Sequence, residues 1–298
     1  MSAENLFNLM NENQASLVSI ILPTYNGQKY LRQSIRSCLE QSYQNFELVI
    51  IDDASVPEVR AIVDSFGDAR VRYVRNDKNL GLVMSLNKGF SLAKGKYLTW
   101  TSDDNYYASK AIEIMQNALA DNAAVSFVYA GYQVIDNDGH PLRRGRVETP
   151  EELDQDNYIG GCFLYRREVY ETIGDFNAEA FLAEDYEYWL RIRTKFKMKK
   201  LDEVLYFYRA HERSLTAVHS EAKVQMQVER IREKFIAPWK RHYFRGKKYF
   251  YNGQKRKSWT ELWLSVVLNP FYYESWRLIG LLIVSPQIAD SIRKLKSR

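Results

Sequence analysis

From residue 17 the chain alternates short apolar runs with segments whose apolar residues recur every three or four positions. The runs at 17–22, 46–51, 71–74, 97–100 and 125–130 are rich in β-branched and aromatic residues and predict buried strands. Between them, Leu31, Ile35, Cys38 and Leu39 share one face of a helix predicted over 28–41. Leu82, Leu86, Phe90 and Ala93 do the same over 82–93, and 56–66 and 109–120 complete the series. Strand–helix alternation predicts an α/β fold with a mostly parallel sheet covered on both faces. At Asp136-Asn137-Asp138-Gly139 a turn signal interrupts the pattern, and a polar segment follows through residue 156. Gly160-Gly161 then opens an apolar stretch. A short helix is expected at 166–173, stopped by Gly174, then a helix at 185–193 and a strand at 200–209. The expected division is a polar arm (1–16), an α/β domain (17–217) and a basic, aromatic-rich helical region (218–298).

Two of the apolar runs end in paired aspartates, Asp52-Asp53 and Asp103-Asp104. In open α/β sheets, ligands bind beyond the carboxyl ends of the strands. Carboxylates placed there face water, a cation or a polar ligand, because burying an unpaired charge is costly. The bland alternative is that each pair caps the next helix. Hard oxygen donors clustered at one sheet edge suit Mg²⁺ or Mn²⁺, held together with substrate phosphates. No phosphate loop competes: between Gly89 and Gly95-Lys96 five residues intervene instead of four, and Tyr97 stands where Ser or Thr is required. No G-x-G-x-x-G follows any expected strand.

At 298 residues, with 46% apolar and 27% charged residues, the chain can bury a substantial core. Cys38 and Cys162 argue against a disulfide framework and for a reducing compartment. No secretory signal is visible in 1–16, and the apolar stretches 262–268 and 278–284 are too short to span a bilayer. The net charge of +5 is unevenly distributed. Residues 221–298 hold 17 of the 42 Lys/Arg and 6 of the 37 Asp/Glu, which leaves 25 basic against 31 acidic residues in the first 220. Basic residues there interleave with Trp239, Tyr243, Phe244, Tyr249, Phe250, Trp259, Trp263 and Trp276. That composition suits the headgroup layer of an anionic membrane. A packing or homodimerisation appendage is the second reading, and single-stranded nucleic acid the least favoured.

The segment Val18-Ser19-Ile20-Ile21-Leu22-Pro23-Thr24-Tyr25-Asn26-Gly27 resembles the opening of glycosyltransferase family 2, and 46–55 resembles its second strand. Asn79-Leu80-Gly81, Asn87-Lys88-Gly89 and Ser102-Asp103-Asp104 follow in the family's order. So do Gly160-Gly161, Gly174-Asp175-Phe176, Glu184-Asp185 with Trp189, and Tyr208-Arg209-x-His211-x-x-Ser214. The resemblance covers residues 17–216. It implies a GT-A fold, a nucleotide-sugar donor, inversion at the anomeric carbon and a Mn²⁺ or Mg²⁺ cofactor. It implies that Pro23, Thr24, Tyr25 and Asn26 meet the nucleobase, and that Asp53 accepts a base N–H, which favours UDP. Asp103 and Asp104 would share ribose and metal contacts, His211 would join the metal or diphosphate, and Arg209 would pair a phosphate. The family's usual Asp-x-Asp-Asp departs here, with Thr101 in the first place.

Asp185 matches the family position for the general base, with Glu184 as its substitute. Read without the family, Glu184-Asp185 is an acidic first helical turn, favourable to the helix dipole. Taken alone, His211 is a surface or packing residue, and Trp189 belongs to the core. The expected function is transfer of a sugar to a saccharide or lipid-linked hydroxyl in cell-surface polysaccharide or glycolipid synthesis. The expected location is the cytoplasm, peripheral on the inner face of the membrane. Two other classes share the same residues: a non-catalytic nucleotide-sugar-binding module and a metal-dependent nucleotidyltransferase.

Overall fold

The structure is a computed structural model and describes residues 16–283. Of the polar arm, all but Ser16 lies outside the described residues. Two compact units are present: residues up to 153 with 157–227, and 154–156 with 228 onward.

The first unit is built on a nine-stranded sheet of order β3-β2-β1-β4-β8-β6-β9-β5, with β7 beside β6. The strands are β1 (Val18–Thr24), β2 (Phe46–Asp52), β3 (Val71–Arg75), β4 (Tyr97–Trp100), β5 (Tyr106–Tyr107), β6 (Phe127–Ile135), β7 (Pro141–Arg144), β8 (Phe163–Arg166) and β9 (Met198–Arg209). Its helices are α1 (Leu31–Leu39), α2 (Arg60–Asp64), α3 (Leu82–Leu92), α4 (Ala111–Ala120), α5 (Arg167–Ile173), α6 (Glu184–Arg193) and α7 (Leu215–Val218). The expected parallel sheet is the β3-β2-β1-β4 half. Beyond β4 the pairing turns antiparallel, except between β6 and β9.

Both faces of the parallel half are covered, so its strands carry apolar residues without interruption. Ile20, Leu22, Leu48 and Ile50 point to one side and join Leu31 and Ile35 of α1 and Ile112 and Met115 of α4 in one buried cluster. Ile21 and Ile51 point to the other side, against α3. Gly89 makes that approach possible, since a Cβ there would meet Ile21 Cγ2 and Ile51 Cγ1. On the same face, Phe127 stacks on Phe163 and Tyr165 with centroids 5.7 and 5.9 Å apart, and Trp189 of α6 meets Phe127 edge-on at 5.0 Å. This aromatic layer seats α6 on the sheet, and Trp189 is a core residue as its helical spacing indicates.

Three strands were not read from the sequence: β8 lies in the apolar stretch that follows Gly160-Gly161. β5 has only two residues, and β7, Pro141–Arg144, is exposed throughout and shows no hydrophobic pattern. The second unit comprises α8 (Glu221–Phe235, whose first residues belong to the first unit), α9 (Pro238–Tyr251), α10 (Lys255–Leu268) and α11 (Tyr273–Ile283). Its core is Tyr243, Phe250, Leu262, Val266, Leu278 and Ile279. No helix among the described residues is long and apolar enough to cross a membrane.

The Gly89→Ala variant should lose about 1–3 kcal/mol of stability through overpacking against Ile21 and Ile51. A urea titration should show this as a lower midpoint at unchanged slope.

Candidate active site

Parallel register brings three strand ends level. Thr24 pairs with Asp52 across β1 and β2, and Ile21 with Trp100 across β1 and β4. Continuing the second register by three residues sets Thr24 opposite Asp103, and Thr24 Oγ1 donates to Asp103 Oδ2 at 2.5 Å. Gly27 passes over this contact, where a Cβ would collide with Asp103 Oδ2 and Thr24 Oγ1. Among the described residues three non-glycine residues have left-handed backbone, and all border this rim or the start of α6: Asn26 (φ 56°), Ala54 (φ 65°) and Leu182 (φ 77°). Conformations of this kind concentrate at functional sites.

The four strand-end aspartates differ in what compensates them. Asp52 is fully buried and accepts from Ser55 N (2.9 Å), from the Tyr73 hydroxyl (2.6 Å) and from Arg75. Burial pushes its pKa up, but these hydrogen bonds outweigh it and hold the carboxyl below the usual range. Asp52 is therefore a structural anion. Asp53 accepts from Asn76 Nδ2 and Leu80 N on Oδ1 and from Gly81 N on Oδ2, each at 2.8 Å. Gly81, at φ 85°, is the turn that aims its N–H there. A carboxylate has about four acceptor sites, so three are filled and one stays available.

Asp103 is partly buried, and burial together with the neighbouring Asp104 charge raises its pKa to about 7. Asp104 Oδ2 lies 2.9 Å from His211 Nε2, while Asp104 Oδ1 is buried with no hydrogen-bond partner. A buried carboxylate oxygen without a donor calls for a cation or a ligand N–H or O–H. Oxygen and imidazole donors together fit Mn²⁺, and the carboxylates alone also fit Mg²⁺.

The short strand β5 makes this arrangement. Tyr106 and Tyr107 pair antiparallel with Phe207 and Tyr206 of β9, which carries the chain past Arg209 to His211 beside Asp104. Arg209 is 2% exposed. Its guanidinium donates to the carbonyls of Asp104 (3.1 Å), Asp136 (2.9 Å) and Asn137 (2.7 Å) and to Gln33 Oε1 (2.7 Å). Tyr30 packs over it with 4.4 Å from the guanidinium carbon to the ring centroid. Four of five N–H donors are thus engaged by protein acceptors. These contacts make Arg209 a brace that holds the Asp104 loop and the β6–β7 turn in place.

In this arrangement Asp103, Asp104 and His211 do not bring one ligand atom each within 4.8 Å of one another. Asp104 and His211 form a ready pair, and Asp103 is drawn aside by Thr24. Among the described residues, Asp136, Asp138 and His140 do meet that distance. They form the turn after β6, where Asp136 Oδ1 already accepts from the backbone N–H groups of Asp138 and His140.

Thr101 is 1% exposed and shares a 2.8 Å hydrogen bond with the Tyr206 hydroxyl. The first place of the acidic motif therefore points into the core. Tyr206 also packs beneath Gly161, and Tyr132 beneath Gly160, so the glycine loop lies directly over the strand that pairs with β5. From the far end of this loop, Asn157 Nδ2 donates to Asp185 Oδ2 at 2.8 Å, and Tyr186 N–H donates to Oδ1 at 2.7 Å. Asp185 is partly exposed at the start of α6, whereas Glu184 is buried with Oε2 unpartnered. Burial raises the Asp185 pKa. Burial, then the Asp185 charge, raises Glu184 to about 7. Pro23 and Thr24 are buried at the end of β1, while Tyr25 is 52% exposed beyond it. Asn26 accepts from Val56 N through its side chain, and its own N–H donates to Ser55 Oγ.

Residues 19–174 match the description "Glycosyl transferase family 2". The chain belongs to this family. An uncharacterized glycosyltransferase of Rickettsia prowazekii is 36% identical over 187 residues, which is 59% of this chain and 58% of that protein. The chain spans only 31% of a second relative, from Rickettsia felis, at 35% identity over 59% of this chain. It is similar, at 28% identity over 59% of this chain and 69% of the other, to the Escherichia coli UDP-Glc:alpha-D-GlcNAc-diphosphoundecaprenol beta-1,3-glucosyltransferase WfgD. Two solved structures share the fold. Staphylococcus aureus TarS, residues 1–349 with UDP-GlcNAc, has TM-score 0.61, 15% identity and coverage of 84% of this chain and 80% of that one. The mannosyltransferase PcManGT of Pyrobaculum calidifontis, with GDP-Man and Mn²⁺, has TM-score 0.59, 17% identity and coverage of 94% and 84%. The fold is therefore GT-A, as the motifs of this glycosyltransferase family 2 chain imply.

Tyr30, Gln33, Asn157 and Tyr206 were missed by sequence reasoning. They act through contacts 28 or more positions away, and no local pattern marks them.

Replacing Arg209 with Lys should lower stability by about 2–4 kcal/mol, since Lys cannot reproduce the planar set of four donors. Thermal or urea unfolding checks this, and a residue that only paired a phosphate would leave unfolding unchanged. For Glu184 the folded pKa lies above the unfolded one, so the folded state binds more protons and stability falls as pH rises from 4.5 toward about 7. Glu184→Gln should flatten that slope, by up to about 1.4 kcal/mol per pH unit.

Proposed function

We propose that the chain is an inverting glycosyltransferase that moves a sugar from a nucleoside-diphosphate donor, UDP by preference, to a hydroxyl of a saccharide or lipid-linked acceptor. The observation that carries this reading is the unpartnered Asp104 Oδ1 beside His211, on the same sheet rim as Asp53 and Thr24. Asp185 stands across the Gly160-Gly161 loop. Asp104 and His211 would hold a divalent cation, which when bound would supply positive charge toward a departing diphosphate.

The remaining work falls to side chains. Tyr25 is exposed enough to stack on the base, and the remaining acceptor site of Asp53 takes the uracil N–H. Asp185, oriented by Asn157, accepts the proton of the acceptor hydroxyl as that oxygen bonds to the anomeric carbon. The bond from that carbon to the diphosphate oxygen breaks, the nucleoside diphosphate leaves with the bonding pair, and a single displacement inverts the centre. Burial raises the Asp185 pKa, which makes it a better base than an ordinary carboxylate. WfgD, named for a UDP-Glc donor and a diphosphoundecaprenol-linked acceptor, supports a role in cell-surface polysaccharide or glycolipid synthesis.

Asp185→Asn should lower transfer by about 10²–10⁴-fold with donor affinity unchanged. Product analysis decides the class: release of a nucleoside diphosphate supports transfer, and pyrophosphate release overturns it. A thermal-shift panel of UDP- and GDP-sugars with Mn²⁺ or Mg²⁺ should show stabilisation by UDP-sugars only with metal present. A ligand at 100 times its Kd adds about 2.7 kcal/mol.

A further inference from the structure

The second unit buries one side of α10 through Leu262 and Val266, yet the other side is also apolar. Trp259, Trp263 and Val267 follow at helical spacing and are 41%, 47% and 63% exposed. Trp259 and Trp263 lie parallel at 6.4 Å, and Trp263 meets Trp276 of α11 edge-on at 6.0 Å. Phe271, between the two helices, is 94% exposed. A helix apolar on both sides calls for a second cover, and an exposed aromatic patch of this kind marks an interaction surface.

Charge identifies the cover. Lys255, Arg256 and Lys257 are exposed at the start of α10. Lys255 and Arg256, with Trp259, Thr260 and Leu282, line a groove of about 460 Å³. Cations, an indole and an aliphatic side chain thus meet in one groove, matching an anionic head joined to an apolar tail. The carboxylates of α10 and α11 are already paired: Glu261 with His242 at 2.7 Å, and Glu274 with Arg277 at 2.7 Å. The surface therefore offers positive charge and apolar rings together. We propose that this face of α10 and α11 seats on an anionic lipid bilayer, with Trp259, Trp263 and Trp276 at the headgroup boundary and Lys255–Lys257 on lipid phosphates. Because no helix among the described residues spans a bilayer, the contact lies along the surface.

Flotation of the full chain with vesicles tests this, without donor or acceptor, so its result is independent of the transfer reaction. The chain should float with phosphatidylcholine vesicles containing phosphatidylglycerol, stay behind with pure phosphatidylcholine, and lose binding in high salt. The triple variant Lys255→Gln, Arg256→Gln, Lys257→Gln should bind about 100-fold more weakly. Trp263→Ser should weaken binding to the phosphatidylglycerol-containing vesicles, and circular dichroism should report unchanged folding for both variants. Absence of flotation, or equal binding of the triple variant, overturns the proposal. So does a concentration-dependent dimer in solution that Trp263→Ser dissolves, which would assign the face to a second copy.

Discussion

Parallel pairing of β1 with both β2 and β4 ends three strands at one level, and β2 and β4 each deliver a pair of aspartates at or just beyond their ends. Beyond the strand ends the ladder supplies no partner, so every carboxylate needs its own compensation. Asp52 takes a guanidinium and becomes structural. Asp53 takes N–H groups from the turn before α3, and Asp103 takes the Thr24 hydroxyl. Only Asp104 is left half answered, with His211 on one oxygen and nothing on the other. That imbalance is what the proposed cation would answer.

The clamp around Asp104 is assembled from distant chain segments. Arg209 sits at the end of a twelve-residue strand, Gln33 belongs to α1, and Asn137 lies in the turn after β6. Burying a guanidinium is tolerable because carbonyl oxygens surround it and the Tyr30 ring covers its face. The result is a rigid floor beneath a carboxylate whose second oxygen stays open. On the opposite side, the buried Glu184 and the partly exposed Asp185 cannot both ionise easily, so their protonation is linked.

Much of this could be read from the chain before any coordinates. Strands 46–51 and 97–100 are apolar on both faces, and the aspartates at their ends stand out against that background. Asp52 and Asp53 are alike in sequence, however, and only Tyr73 and Arg75 of the neighbouring strand separate a structural anion from an open one. Arg209 was not legible as a brace because a basic residue beside a histidine carries no mark of burial. β5 escaped notice because two residues hold no period, although without it His211 would not reach Asp104.

Thr101 bears on how this family's acidic signature is interpreted. Its side chain lies in the interior, hydroxyl to hydroxyl with Tyr206. The position is a joint between β4 and β9, and what it demands is a small hydrogen-bonding group that fits beside a phenol. An acidic residue there would answer to the interior rather than to a nucleotide. Losing that letter of the signature therefore says little about chemistry, whereas losing either of the next two outward-facing acids would say a great deal.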